Sequence, residues 1–150
     1  MNLRRVKQGA KITLFNGIYM ILLGLYYIFF AKYNMKLNFD AFSELWGFFS
    51  RYNQNVANLF IYFSVITGVL LISLGIFVIY LSNAIIRRKE KIVWVILFLA
   101  GIIGWAGLLS MSILFKNIVQ IVAVFIGWFI FVLGMLLPID YYITKNYSEY

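Results

Sequence analysis

The chain has 150 residues, of which 64% are apolar and 12% are charged, and its net charge is +8. A soluble globular domain runs at about 45–50% apolar and about 25% charged, so that class is excluded. A mean hydropathy of +0.92 points instead to the hydrocarbon of a bilayer as the solvent. Cysteine and histidine are both absent, which removes disulfide frameworks, thiol redox chemistry, zinc sites, histidine-ligated haem and every Ser-His or Cys-His nucleophile. Phe, Tyr, Ile, Asn and Lys dominate over Gly, Ala, Arg and Pro, the residue usage of an AT-rich prokaryotic genome.

About 20 consecutive apolar residues cross a bilayer as a helix, and four such runs occur, at 12–31, 59–81, 92–115 and 118–137, the second with an extension to Ile86. None contains Asp, Glu, Lys or Arg. The expected fold is an all-α integral membrane protein, a four-helix antiparallel bundle forming a single domain over residues 1–150. The first run follows Arg4, Arg5, Lys7 and Lys11. Its apolar stretch is too long for a secretory signal, and no small-x-small cleavage site follows it, so it is read as a membrane anchor.

Orientation follows from the cations in the short flanks. Arg4, Arg5, Lys7, Lys11, Arg87, Arg88, Lys89, Lys91 and Lys145 fall on one side, and only Lys32, Lys36, Arg51 and Lys116 on the other. Both termini are therefore expected in the cytoplasm, with the protein in the cell membrane. The basic charge is a topogenic signal with some attraction to anionic headgroups, not a nucleic-acid footprint. Tyrosines and tryptophans near the span ends, such as Tyr26, Tyr27, Tyr33, Tyr80, Trp94, Tyr141 and Tyr142, suit the headgroup interface. Lys116 and Asn117 alone separate the last two runs, so those helices form a tight hairpin, and residues 82–91 form a basic turn.

Between the first two runs, residues 40–52 carry a helical period. Phe42, Leu45, Trp46 and Phe49 share one face and Asp40, Glu44, Gly47 and Arg51 the opposite one, with Asn38 or Asp40 as N-cap. Such a helix lies flat at the interface, and its aromatic face is the candidate lipid or partner contact.

Small residues recur seven apart in each span: Gly17 and Gly24, Gly68 and Gly75, Ala100 and Gly107, Gly127 and Gly134. A seven-residue step returns to nearly the same helix face, and small residues allow the close backbone approach that drives packing in lipid. Aligning the second run on the fourth, and the first on the third, superposes these pairs and hints at duplicated hairpins. The bulky Tyr26, Tyr27, Phe30, Phe60, Phe63 and Phe125 lie toward the other ends of the helices. The spans are thus expected to approach most closely on the cytoplasmic side and to splay beneath Phe42, Trp46 and Phe49.

Inside the runs the polar residues are Thr13, Asn16, Ser64, Thr67, Ser73, Ser110, Ser112 and Gln120. No intramembrane carboxylate is present for proton coupling or for a charged conduction ring. Asn16 is the most unusual of them and is read as interhelical glue. The first-span glutamate of small multidrug exporters, the loop cysteines of claudin-like proteins and the Cys-x-x-Cys of quinone-linked thiol reductases are all missing. The composition favours a non-catalytic integral subunit, without cofactor, that packs against other membrane subunits and lipids in a larger assembly, such as a respiratory or other energy-linked complex. A binding or transport protein for a hydrophobic small molecule or lipid is the alternative, and a pore-forming or holin-like effector the third.

Overall fold

The computed structural model describes residues 3–144, apart from the side chains of Phe42 and Thr144. The described chain is all helical: α1 (Leu3–Phe29), α2 (Ala31–Ser43), α3 (Trp46–Tyr52), α4 (Gln54–Arg88), α5 (Lys91–Leu114), α6 (Ile118–Leu136) and α7 (Ile139–Thr144). Helices α1, α4, α5 and α6 are long and apolar enough to cross a membrane. A helix satisfies its backbone N–H and C=O groups internally, which a single strand in hydrocarbon cannot do.

Helix α1 begins nine residues before the apolar run at residue 12, and α4 extends beyond both ends of its run. Hydropathy marks the stretch suited to hydrocarbon, whereas the helical hydrogen-bond ladder continues through the charged flanks. Accordingly, the basic turn expected at 82–91 shrinks to Lys89 and Glu90. There Lys89 adopts a left-handed backbone (φ 55°), its N–H bonds to Ile85 O, and Arg87 and Arg88 complement the α4 dipole. Pro138 follows the end of α6, and the chain beyond it forms the short helix α7.

The largest departure concerns residues 40–52, which do not form one amphipathic helix. The segment breaks at Glu44, whose backbone is left-handed (φ 51°), and Asp40 Oδ1 accepts the N–H of Trp46 at 3.0 Å. Asp40 thus satisfies the first donor of α3 rather than starting a helix at residue 41, and the helix breaks at Glu44 and Leu45 without a glycine or proline there. Trp46 is buried and Phe49 stacks on Phe39 (4.8 Å between ring centroids), whereas Leu45 is exposed. Phe42's side chain lies outside the described part.

Helix α1 is the spine. On one face it meets α4 antiparallel: a Cβ built on Gly24 would stand 2.6 Å from Gly68 O, and one on Gly68 would stand 2.6 Å from Gly24 O. Gly17 and Gly75 are reciprocal in the same way, at 2.9 and 2.7 Å from each other's carbonyl oxygens. Each glycine also receives an isoleucine four residues beyond its opposite number: Ile79, Ile72, Ile28 and Ile21. Both helices carry the string G-x3-I-x2-G-x3-I, at Gly17–Ile21–Gly24–Ile28 and at Gly68–Ile72–Gly75–Ile79. The interface therefore repeats itself about a local two-fold, a relation between the first and second runs rather than between alternate ones.

On its other face α1 runs antiparallel to α6, through Thr13 at Gly134, Asn16 at Gly127 and Tyr19 at Ala123. Helix α5 rests on α6 by two rings laid over glycines, Phe131 on Gly101 and Trp105 on Gly127. It touches α4 only sparingly. The arrangement around α1 is therefore left open between α4 and α5.

Candidate functional site

The opening between α4 and α5 forms a groove of about 560 Å³. Phe60, Phe63, Leu70 and Leu74 of α4 make one wall, and Ile103, Leu108 and Met111 of α5 the other. Many of these side chains are more than one-third exposed, so the groove opens sideways onto the apolar surface of the helices. Gly104 and Gly107 line it, and a Cβ on either would meet nothing within 4 Å. Their missing side chains are what keeps the space open. Of the small residues expected to pack α5, Gly107 faces this groove and Ala100 is exposed, so both are corrected: the α5 packing residue is Gly101, one position on from Ala100. Gly17, Gly24, Gly68, Gly75, Gly127 and Gly134 all stand at helix contacts.

At the α2–α3 end the groove acquires polar groups. Gln120 Nε2 donates to the Tyr27 hydroxyl, Ser64 Oγ donates to Tyr27 O at 3.2 Å, and Asn117 Nδ2 donates to Asn38 Oδ1 at 2.9 Å. Tyr27, Asn38, Ser64 and Gln120 are all groove residues, and Gln120 Oε1 is buried there with no hydrogen-bond partner. Asn117 also caps α6 by accepting the N–H of Gln120 at 3.2 Å, which fixes the α5–α6 turn against α2. A smaller lobe of about 230 Å³ shares Met35, Asn38, Phe60 and Phe115 with the main groove and continues beneath Phe39 and Trp46. Leu45 and Phe49 line neither space.

The remaining polar residues of the spans divide cleanly. Thr67, Ser73, Ser110 and Ser112 return their hydroxyls to the carbonyl four residues back, so each is satisfied within its own helix. Thr13 and Asn16 instead join helices. Ser82 Oγ donates to Thr13 Oγ1 at 3.0 Å, and Thr13 donates onward to Ala10 O at 3.0 Å. Asn16, fully buried, donates from Nδ2 to Gly127 O at 2.6 Å and accepts Trp105 Nε1 at 3.2 Å. One amide thereby ties α1 to both α5 and α6. Asp140 pairs with Arg5 at 3.3 Å; both are exposed, and such a pair is worth about 0–1 kcal/mol.

The expected splaying is therefore confined to one seam. Gly24 and Gly68, nearer the α2–α3 end, are as close as Gly17 and Gly75, so α1 and α4 do not diverge; only α4 and α5 part. Chemically, the site offers a long apolar surface with a few hydrogen-bonding groups gathered at one end, the usual character of a site for a hydrophobic or amphiphilic molecule. No protein-family model matches the chain, and no curated protein or solved structure is significantly similar to it.

Proposed function

We propose that this chain is a non-catalytic four-span membrane protein that binds a hydrophobic small molecule or a lipid acyl chain in the groove between α4 and α5. The observation that carries the reading is the groove itself, held open by Gly104 and Gly107 where larger side chains would fit without hindrance. Its volume lies within the roughly 300–1,000 Å³ typical of small-molecule sites. The side opening suits entry from the bilayer, and the Tyr27–Gln120 and Asn38–Asn117 groups suit the polar end of an amphiphile. The lack of histidine, cysteine and intramembrane carboxylates supports binding rather than turnover.

In this reading α1, α4, α5 and α6 cross the cell membrane as an antiparallel bundle. The cation bias places both termini in the cytoplasm, so that α2, α3 and the polar end of the groove lie at the outer interface. A cysteine at Ser43, which is exposed, should then react with an impermeant thiol reagent from outside, and one at Ser148, outside the described residues, should not. The reverse labelling would overturn the orientation.

A role as packing subunit of a larger membrane assembly is the second reading, favoured by α5. Only 22% of its most apolar stretch is buried, the least of the four long helices, leaving a broad face for another protein. Gentle detergent extraction followed by native mass spectrometry separates the readings. A retained lipid or other hydrophobic molecule at about one per chain supports the groove; stoichiometric partner proteins on an otherwise empty chain support the subunit. A lone homo-oligomer without ligand would favour the pore-forming class and count against both.

A further inference from the structure

On the side of α2 away from the groove, Lys32, Lys36 and Arg51 line a second cavity of about 520 Å³ together with Phe29, Phe30, Tyr33, Trp46 and Ser50. Lys32 and Lys36 are one helical turn apart on α2, and Arg51 reaches the same space from α3. Among the described residues the three charges meet no carboxylate. The ion pairs of the described residues, Arg5–Asp140 and Arg88–Glu90, lie elsewhere, and neither Asp40 nor Glu44 lines this cavity. Asp40 already accepts the Trp46 N–H. Cations that share the wall of one cavity without an acid leave it electropositive, a setting that favours an anion.

The rings identify the depth. Phe29 is the last residue of α1, so the cavity begins where a long apolar helix ends, and Tyr33 and Trp46 stand beside the cations. Aromatic side chains next to Lys and Arg at the end of a span match the headgroup level of a bilayer, rings toward glycerol and acyl carbon, cations toward phosphate. Trp46 also forms a wall of the lobe beneath α2. We propose that Lys32, Lys36 and Arg51 form a site for the phosphate of an anionic phospholipid headgroup, set between α2 and α3. Its three cations line neither the α4–α5 groove nor the lobe beneath α2, so the site stands whether or not that groove binds a ligand.

The test uses the full chain in mild detergent, titrated with dioctanoyl phosphatidylglycerol or dioctanoyl phosphatidylcholine and read by native mass spectrometry. The wild type should prefer the anionic lipid by roughly tenfold or more. The triple variant Lys32→Gln, Lys36→Gln, Arg51→Gln should lose that preference while keeping its thermal transition, since all three side chains are exposed. A variant with Arg4→Gln, Lys7→Gln and Lys11→Gln removes equal charge from the N-terminal end and should keep the preference. Inorganic phosphate at millimolar concentration should compete weakly. The proposal is overturned if the triple variant still prefers the anionic lipid, if both triple variants lose the preference equally, or if inorganic phosphate displaces the lipid as well as the lipid displaces itself. Should the triple variant fold poorly, Lys36→Glu alone serves as the second variant, with the same loss expected and retention of the preference overturning the site.

Discussion

Gly68→Ala should destabilise the protein by about 1–3 kcal/mol, whereas Gly107→Ala should stabilise it by up to about 1 kcal/mol. The chemical change is identical, and the surroundings set the sign. At Gly68 the new methyl would stand 2.6 Å from Gly24 O, with Ile28 at 2.7 Å, so a backbone carbonyl must move and α1 must separate from α4. The same methyl at Gly107 meets nothing within 4 Å and removes only the entropic cost of glycine in a helix. Thermal or denaturant unfolding of the detergent-solubilised variants measures both. Equal shifts at the two positions would show that the reciprocal glycine contacts do not hold the α1–α4 pair.

The second large effect belongs to Asn16. Asn16→Leu keeps the branched shape of the side chain but adds bulk at a fully buried position, leaves the Trp105 indole N–H without its acceptor and removes the donor to Gly127 O. Interhelical hydrogen bonds within membranes average about 0.6 kcal/mol and reach about 1.7, while an orphaned buried polar group costs about 1–3 kcal/mol. The expected loss is therefore about 1–3 kcal/mol, larger than that for Ser73→Ala, whose hydroxyl bonds only within its own helix. A double-mutant cycle with Trp105→Phe should return a coupling of about 0.6–1.7 kcal/mol. A coupling indistinguishable from zero would mean that the Asn16–Trp105 bond carries no stability.

These residues also show what could be read before the structure. The four long helices were legible because uncharged apolar runs of this length have few other uses, and Asn16 was legible because a lone amide among aliphatic neighbours needs a partner. The partner, Trp105, was not, since nothing in a linear string brings residues 16 and 105 together. The glycines were half legible. A seven-residue step correctly marks a helix face, but which small residue of α5 is used depends on Phe131 across the interface, and it selects Gly101 over Ala100. The shared G-x3-I-x2-G-x3-I string of α1 and α4 is a usable signal in the sequence, but it appears only when the first run is aligned on the second, not when alternate runs are aligned. The break between α2 and α3 had no glycine or proline to announce it; it rests on one carboxylate reaching forward six residues to Trp46. The groove was legible only as a widening beneath Trp46; that it runs between α4 and α5 follows from how sparingly those two helices touch.

The most direct measurement of whether that groove holds a ligand is photo-cross-linking in reconstituted membranes with a phospholipid carrying a diazirine midway along one acyl chain. The lining residues Phe63, Leu70, Ile103 and Met111 should take most of the adducts, and Gly107→Leu, which places a side chain in the groove, should suppress them. Adducts spread evenly onto outward residues remote from the groove, such as Ile126 and Phe129, and unchanged by Gly107→Leu, would contradict the account.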